Sequence, residues 1–168
     1  MPFKIRRIVT SHDADGKAII GMDSQIESNP GVKDKNVQSA VLWATSQMPV
    51  DMSSAADPAA SKMGLHPSAN GSILRMLELP PGAPALMHRT DTLDYVLLME
   101  GECDMILDDG EEVHMNQGDI MIQQGTWHGW ANRGSKTCRI AFVLIDAQKP
   151  TKVFSDHGNG RWGPALQS

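Results

Sequence analysis

GAPALMHRTDTLDYVLLMEG, residues 82–101, carries the pattern on which the reading of this chain turns. Its skeleton is Gly82, five residues, His88, one residue, Thr90, three residues, Asp94, six residues and Gly101. Side chains alternate along an extended strand, so His88, Thr90 and Asp94 share a parity with Val96 and Leu98. A face that bears Val and Leu points inward. An imidazole and a carboxylate on that face need a partner, because an unpaired buried charge is costly. A metal ion is one such partner. A second stretch, GDIMIQQGTWHGWAN at residues 118–132, places Gly118, Gly125, His128 and Asn132 in a similar frame. There Trp130 and Asn132 share the parity of His128.

Outward from these two stretches the pattern is all β. Ser72–Leu79 alternates and stops at Pro80-Pro81-Gly82, and Leu93–Met99 ends at Glu100-Gly101. Cys103–Leu107 runs into Asp108-Asp109-Gly110, whose Asp-Gly step predicts a tight hairpin. Val113–Met115, Asp119–Gln123, Trp127–Ala131 and Thr137–Ile145 complete the series. Short, evenly spaced strands punctuated by Gly predict a sandwich or small barrel. Upstream, Phe3–Val9, Lys17–Met22 and Val37–Ala44 read as further strands. Asp23–Lys35, with its Asn-Pro-Gly, reads as a loop, and Gln47–Asn70 as a long loop with one helical turn at Ala59–Met63. The organisation expected is an N-terminal β arm and long loop over residues 1–70 packing on the barrel, a barrel over 71–147, and a loose tail over 148–168 that Trp162 docks.

The two motifs resemble the paired motifs of the cupin superfamily, G-x5-H-x-H-x3/4-E-x6-G and G-x5-P-x-G-x2-H-x3-N. The first matches in every spacing, with Thr90 in place of the second His and Asp94 in place of Glu. The second matches at Gly118, Gly125, His128 and Asn132, with Gln123 at the Pro position and one residue fewer before it. The arm RRIVTSHDADGKAII (6–20) and the Trp43-Ala44-Thr45 segment look like a branch of small single-domain cupins. The resemblance implies a double-stranded β-helix, or jelly-roll barrel, with extra N-terminal strands. It also implies one divalent metal ion (Fe, Mn, Zn or Ni) held by His88, Asp94 and His128, with Thr90 a poor fourth ligand. Two His and one carboxylate leave coordination positions open for substrate or oxygen.

The reading that follows is a metal-dependent enzyme acting on a small oxygenated or carboxylated molecule. Its reaction stands open between dioxygenation, decarboxylation and isomerase or lyase chemistry. The alternative is a non-catalytic small-molecule-binding cupin. The bland account of each histidine is a hydrogen-bonded core residue, and that of the altered motif is a cupin that has abandoned its metal. Thr90, Gln123 and Trp130 are further candidates for the pocket wall, while Tyr95 and Trp127 have the opposite parity and are expected outside. His12, His66, His114 and His157 have no spaced partner and read as surface or loop residues.

Composition narrows the partners. The chain has 168 residues and a formal net charge of −5, with Lys4, Arg6 and Arg7 as its one basic cluster, which argues against nucleic acid. The two cysteines, Cys103 and Cys138, are too few for a disulfide framework and read as buried thiols of a reducing compartment. No signal-peptide core and no membrane-length apolar run stand out, so no membrane partner and a cytoplasmic location are expected. An arm of strands needs covering, and a homodimer is the expected way to cover it.

Overall fold

The structure, a computed structural model, describes residues 2–31, 34–54, 56–60 and 63–151. The expected contacts of Trp162 and His157 lie outside those residues. The strands are β1 (Lys4–His12), β2 (Ala18–Glu27), β3 (Asn29–Pro30), β4 (Gln38–Thr45), β5 (Ser72–Leu79) and β6 (Thr92–Glu100). They continue as β7 (Glu102–Ile106), β8 (Glu112–Asn116), β9 (Ile120–Gln124), β10 (Gly129–Ala131) and β11 (Cys138–Asp146). The fold is all-β. Among the described residues helix is confined to two single 3-10 turns, Pro58–Ala60 and Asp108–Gly110, and no helix is long and apolar enough to cross a membrane.

A six-stranded sheet in the order β3-β4-β5-β11-β6-β9 faces a three-stranded sheet in the order β10-β7-β8. Alternation explains why these strands curl around one core. In β6, Thr92, Asp94, Val96 and Leu98 are buried while Tyr95 between them is exposed. Ile73, Val96, Leu98, Ile140 and Phe142 from the large sheet meet Met105 and Met115 from the small one. Cys103 and Cys138 are buried free thiols in that core. The hydrogen bond with Cys103, reinforced by burial, holds the Cys138 thiol far above the usual thiol range. An inert thiol is the consequence.

The outer face of the large sheet is covered by the arm. β1 and β2 form their own antiparallel pair, and Phe3, Ala40 and Leu42 pack with Ile5, Leu74 and Met76. Arg7 ties the arm to the long loop through a bidentate contact to Asp57, at 2.8 and 2.6 Å, and donates to the Leu42 carbonyl at 3.0 Å. β4 is a full member of the large sheet, paired with β5 from Gln38↔Glu78 to Thr45↔Ser72.

Part of the expected loop Asp23–Lys35 is strand. Asp23–Glu27 pairs with Lys4–Ile8, and Arg6 closes on Asp23 at 2.6 and 2.8 Å. Main-chain pairing supplies these bonds whatever the polarity of the side chains, and an outer strand with one wet face has no need of an apolar run.

Candidate functional site

Three inward strand faces and the two motif segments enclose a cavity of about 170 Å3. Leu77, Leu79, Phe142, Leu144 and Trp130 supply apolar wall, and Arg75, His88, Thr90, Asp94 and His128 supply polar groups. The motifs are drawn together by main-chain bonds. The amide of His88 donates to the His128 carbonyl at 2.7 Å and the amide of His128 returns to His88 at 2.8 Å. Farther along, the Gly82 amide donates to Asn132 at 2.8 Å and the Asn132 amide to Ala83 at 2.9 Å. Two residues forty apart in sequence are thereby cross-strand neighbours, with imidazole centroids 4.4 Å apart and planes tilted by 50°.

The two imidazoles are held alike. Nδ1 of His88 lies 2.8 Å from the Leu86 carbonyl, and Nδ1 of His128 lies 3.0 Å from the Thr126 carbonyl. A carbonyl can only accept, so these contacts assign the hydrogen to Nδ1 in both rings and the lone pair to Nε2. Burial, then the neighbouring His88, pushes the His128 pKa down to about 3 against the opposing pull of the Thr126 carbonyl. His128 is therefore neutral at ordinary pH.

Asp94 is 4% exposed, and its Oδ1 has no hydrogen-bond partner. Burial raises its pKa to about 6, against the lowering effects of the Thr92 hydroxyl and the Arg75 charge. Thr90 is buried on the cavity wall, its hydroxyl bonded to that of Thr92 at 2.7 Å. Trp130 meets His128 edge-on at 6.0 Å and Phe142 at 5.5 Å. Gln123 is buried but is not part of the cavity wall, because its amide is drawn to Thr126 and lies 3.2 Å from Nδ1 of His128.

Among the described residues no three His, Cys, Asp or Glu side chains come together as a metal-ligating group. Of the set His88, Asp94 and His128, the structure pairs the two histidines and sets Asp94 apart in the same cavity. His114 is exposed, as a surface residue should be, yet it has a partner in Asp104 at 2.7 Å, which raises its pKa.

Among the cavity residues that had not been singled out from the sequence, Arg75 carries a positive charge. Arg75 lies on β5 at the parity of Ile73, Leu77 and Leu79. A charged residue among inward positions was the available signal, masked because the opposite parity, with Leu74 and Met76, is apolar as well. Its Nη2 donates to the Gly64 carbonyl at 2.8 Å toward the surface, while its Nε is buried without a partner.

The model of the cupin domain family matches residues 75–145. Phomopsin biosynthesis cluster protein C' of Diaporthe leptostromiformis is 33% identical over 153 residues, covering 88% of this chain and 80% of its own. The chain belongs to the cupin family. The cupin-domain-containing oxidoreductase fogC of Aspergillus ruber is 32% identical over 149 residues, covering 85% of this cupin and 73% of the relative. A solved polyketide cyclase, RemF of Streptomyces resistomycificus, aligns with 74% of this cupin and 77% of its own chain, at 19% identity and a TM-score of 0.49.

Proposed function

We propose that this cupin is an enzyme of the oxidoreductase type acting on a small oxygenated organic molecule in its barrel, with one divalent metal ion at the histidine pair. The observation that carries the reading is the matched fixing of His88 and His128, each with Nδ1 on a main-chain carbonyl two residues upstream. Such an outer contact fixes the tautomer and raises the basicity of the other nitrogen. Imidazole nitrogens are donors that Fe, Mn, Zn and Ni accept, so the donor chemistry of the pair fits the ion. When bound, the ion would supply Lewis-acid or redox chemistry. Relatives named as cupin-domain-containing oxidoreductases support the reaction class.

The remaining roles belong to the chain itself. The Thr126 carbonyl keeps His128 oriented, and the leucine and aromatic walls exclude water from the reacting molecule. Oδ1 of Asp94, with no hydrogen-bond partner among the described residues, is the atom to which a substrate hydroxyl would donate. Elemental analysis of protein purified without added metal tests the reading. About one equivalent of a divalent ion is expected in the wild type, with a large loss in His128→Gln. Asp94→Asn sorts the role of the acid: lost metal makes it a third ligand, and retained metal with lost turnover places its work on the substrate. A folded wild type that takes up no ion, even when offered one, overturns the metal reading.

A further inference from the structure

We propose that Arg75 is the residue that reads the substrate, selecting a small apolar molecule that carries a carboxylate or an equivalent oxyanion. The inference deepens the preceding reading and rests on its placing the substrate in the barrel cavity. Its first support is the isolation of the charge. Among the described residues, Arg6, Arg7, Arg89, Arg133 and Arg139 each have a carboxylate oxygen within 3.0 Å. Among the same residues Arg75 has none within ion-pair distance, and the hydrogen bond it makes there goes to a neutral carbonyl. Arginine stays protonated in proteins, so a positive charge on an apolar wall is left without a carboxylate in direct contact.

The second support is the unused donor. Nε of Arg75 is buried and unpartnered, at a wall position where β5 pairs it with Phe142 of β11. A buried donor left unmade is costly, and a ligand oxygen recovers that cost on binding. Guanidinium geometry favours a planar, two-oxygen acceptor over a single hydroxyl. The third support is the placement of the acids. Asp94 lines the same cavity with Oδ1 unpartnered, yet makes no ion pair with Arg75. Asp34, the other acid on the wall, accepts from the Asn36 amide at 2.8 Å. Cation and Asp94 therefore face one cavity without an ion pair between them. A ligand with an oxyanion for Arg75 and a hydroxyl for Asp94 would span it, its flat body against Phe142 and Trp130. A hydroxylated aromatic or unsaturated carboxylic acid has that form.

The test is a binding titration of the full chain, read by calorimetry and by Trp fluorescence. The probes are benzoate and 3-hydroxybenzoate against their neutral amides, benzamide and 3-hydroxybenzamide. The wild type should prefer each acid to its amide by about tenfold or more, a difference of about 1.4 kcal/mol. Arg75→Gln should bring the two affinities together, and Arg75→Lys should keep part of the preference, because it retains the charge without the planar fork. Circular dichroism identifies variants that fail to fold, and the wild-type ratio stands without them. The same ratio is measured after chelation, so a failure of the metal reading leaves this result intact. Equal binding of acid and amide by the wild type overturns the proposal, as does a folded Arg75→Gln that keeps the preference. An absence of binding by either acid overturns it too.

Discussion

Replacing Asn132 with Asp exchanges one nitrogen for oxygen, and it should destabilise the barrel at least as much as deleting the side chain with Ala. Asn132 is 0% exposed. Its Nδ2 donates to the carbonyls of Leu79 at 2.9 Å and Lys136 at 2.8 Å, and its Oδ1 accepts from the Gly134 amide at 3.0 Å. Alanine strands all three main-chain groups. Each buried group left unsatisfied costs about 1–3 kcal/mol, at the upper end for Leu79 and at the lower end for the more exposed Lys136 and Gly134. The total comes to about 5 kcal/mol, or a fall in Tm of about 10–20 °C for a domain of this size. Aspartate has the same shape but aims a second acceptor at two carbonyls, so it must bury a repelling charge or take up a proton. Urea unfolding followed by Trp fluorescence and far-ultraviolet circular dichroism measures both variants, with an unchanged m-value showing that only stability moved. An Asp variant within about 1 kcal/mol of wild type would refute the reasoning, since shape would then matter and donors would not.

Gly101 and Gly82 both have left-handed φ, at 78° and 76°, but a Cβ on Gly101 would meet the Thr137 carbonyl at 2.6 Å whereas one on Gly82 meets nothing within 4 Å. Gly82→Ala should therefore cost about 1–2 kcal/mol for the backbone alone and Gly101→Ala clearly more, with equal losses in urea unfolding counting against the close approach. The Arg7 guanidinium holds the Asp57 carboxyl below its ordinary value. Because the folded pKa is the lower one, that stabilisation is complete above the unfolded carboxylate range, near pH 4, and is lost as pH falls through the folded value. Asp57→Asn should flatten part of the acid limb of a stability-against-pH curve, and an unchanged slope would show that the pair contributes nothing.

Much of the barrel was legible because strand parity is a local property. The alternation around Asp94, Val96 and Leu98 could be read from spacing alone, and all three are buried as that spacing requires. The glycines and prolines that end strands could be read for the same reason: a turn constrains its own few residues. Asp23–Glu27 was misread because polarity is a poor guide where one strand face is wet and the ladder partner, Lys4–Ile8, lies elsewhere in the chain.

The candidate site was legible only as a roster. Spacing put His88, Thr90, Asp94, His128 and Trp130 on inward faces, and each lines the one cavity. Gln123 was expected on the wall from its place just before the Gly125 turn, but a contact with Thr126 draws its amide away from the wall. Distances between residues on different strands depend on register and sheet order, which no local pattern encodes. The main-chain bridge that sets His88 beside His128, the separation of Asp94 from that pair, and the lack of an ion pair to Arg75 among the described residues all belong to that class. The sequence by itself therefore determined which side chains face inward, because extended backbone has a period of two. Only the tertiary structure decided which of them meet, because contact between strands is a non-local consequence of how the sheets close.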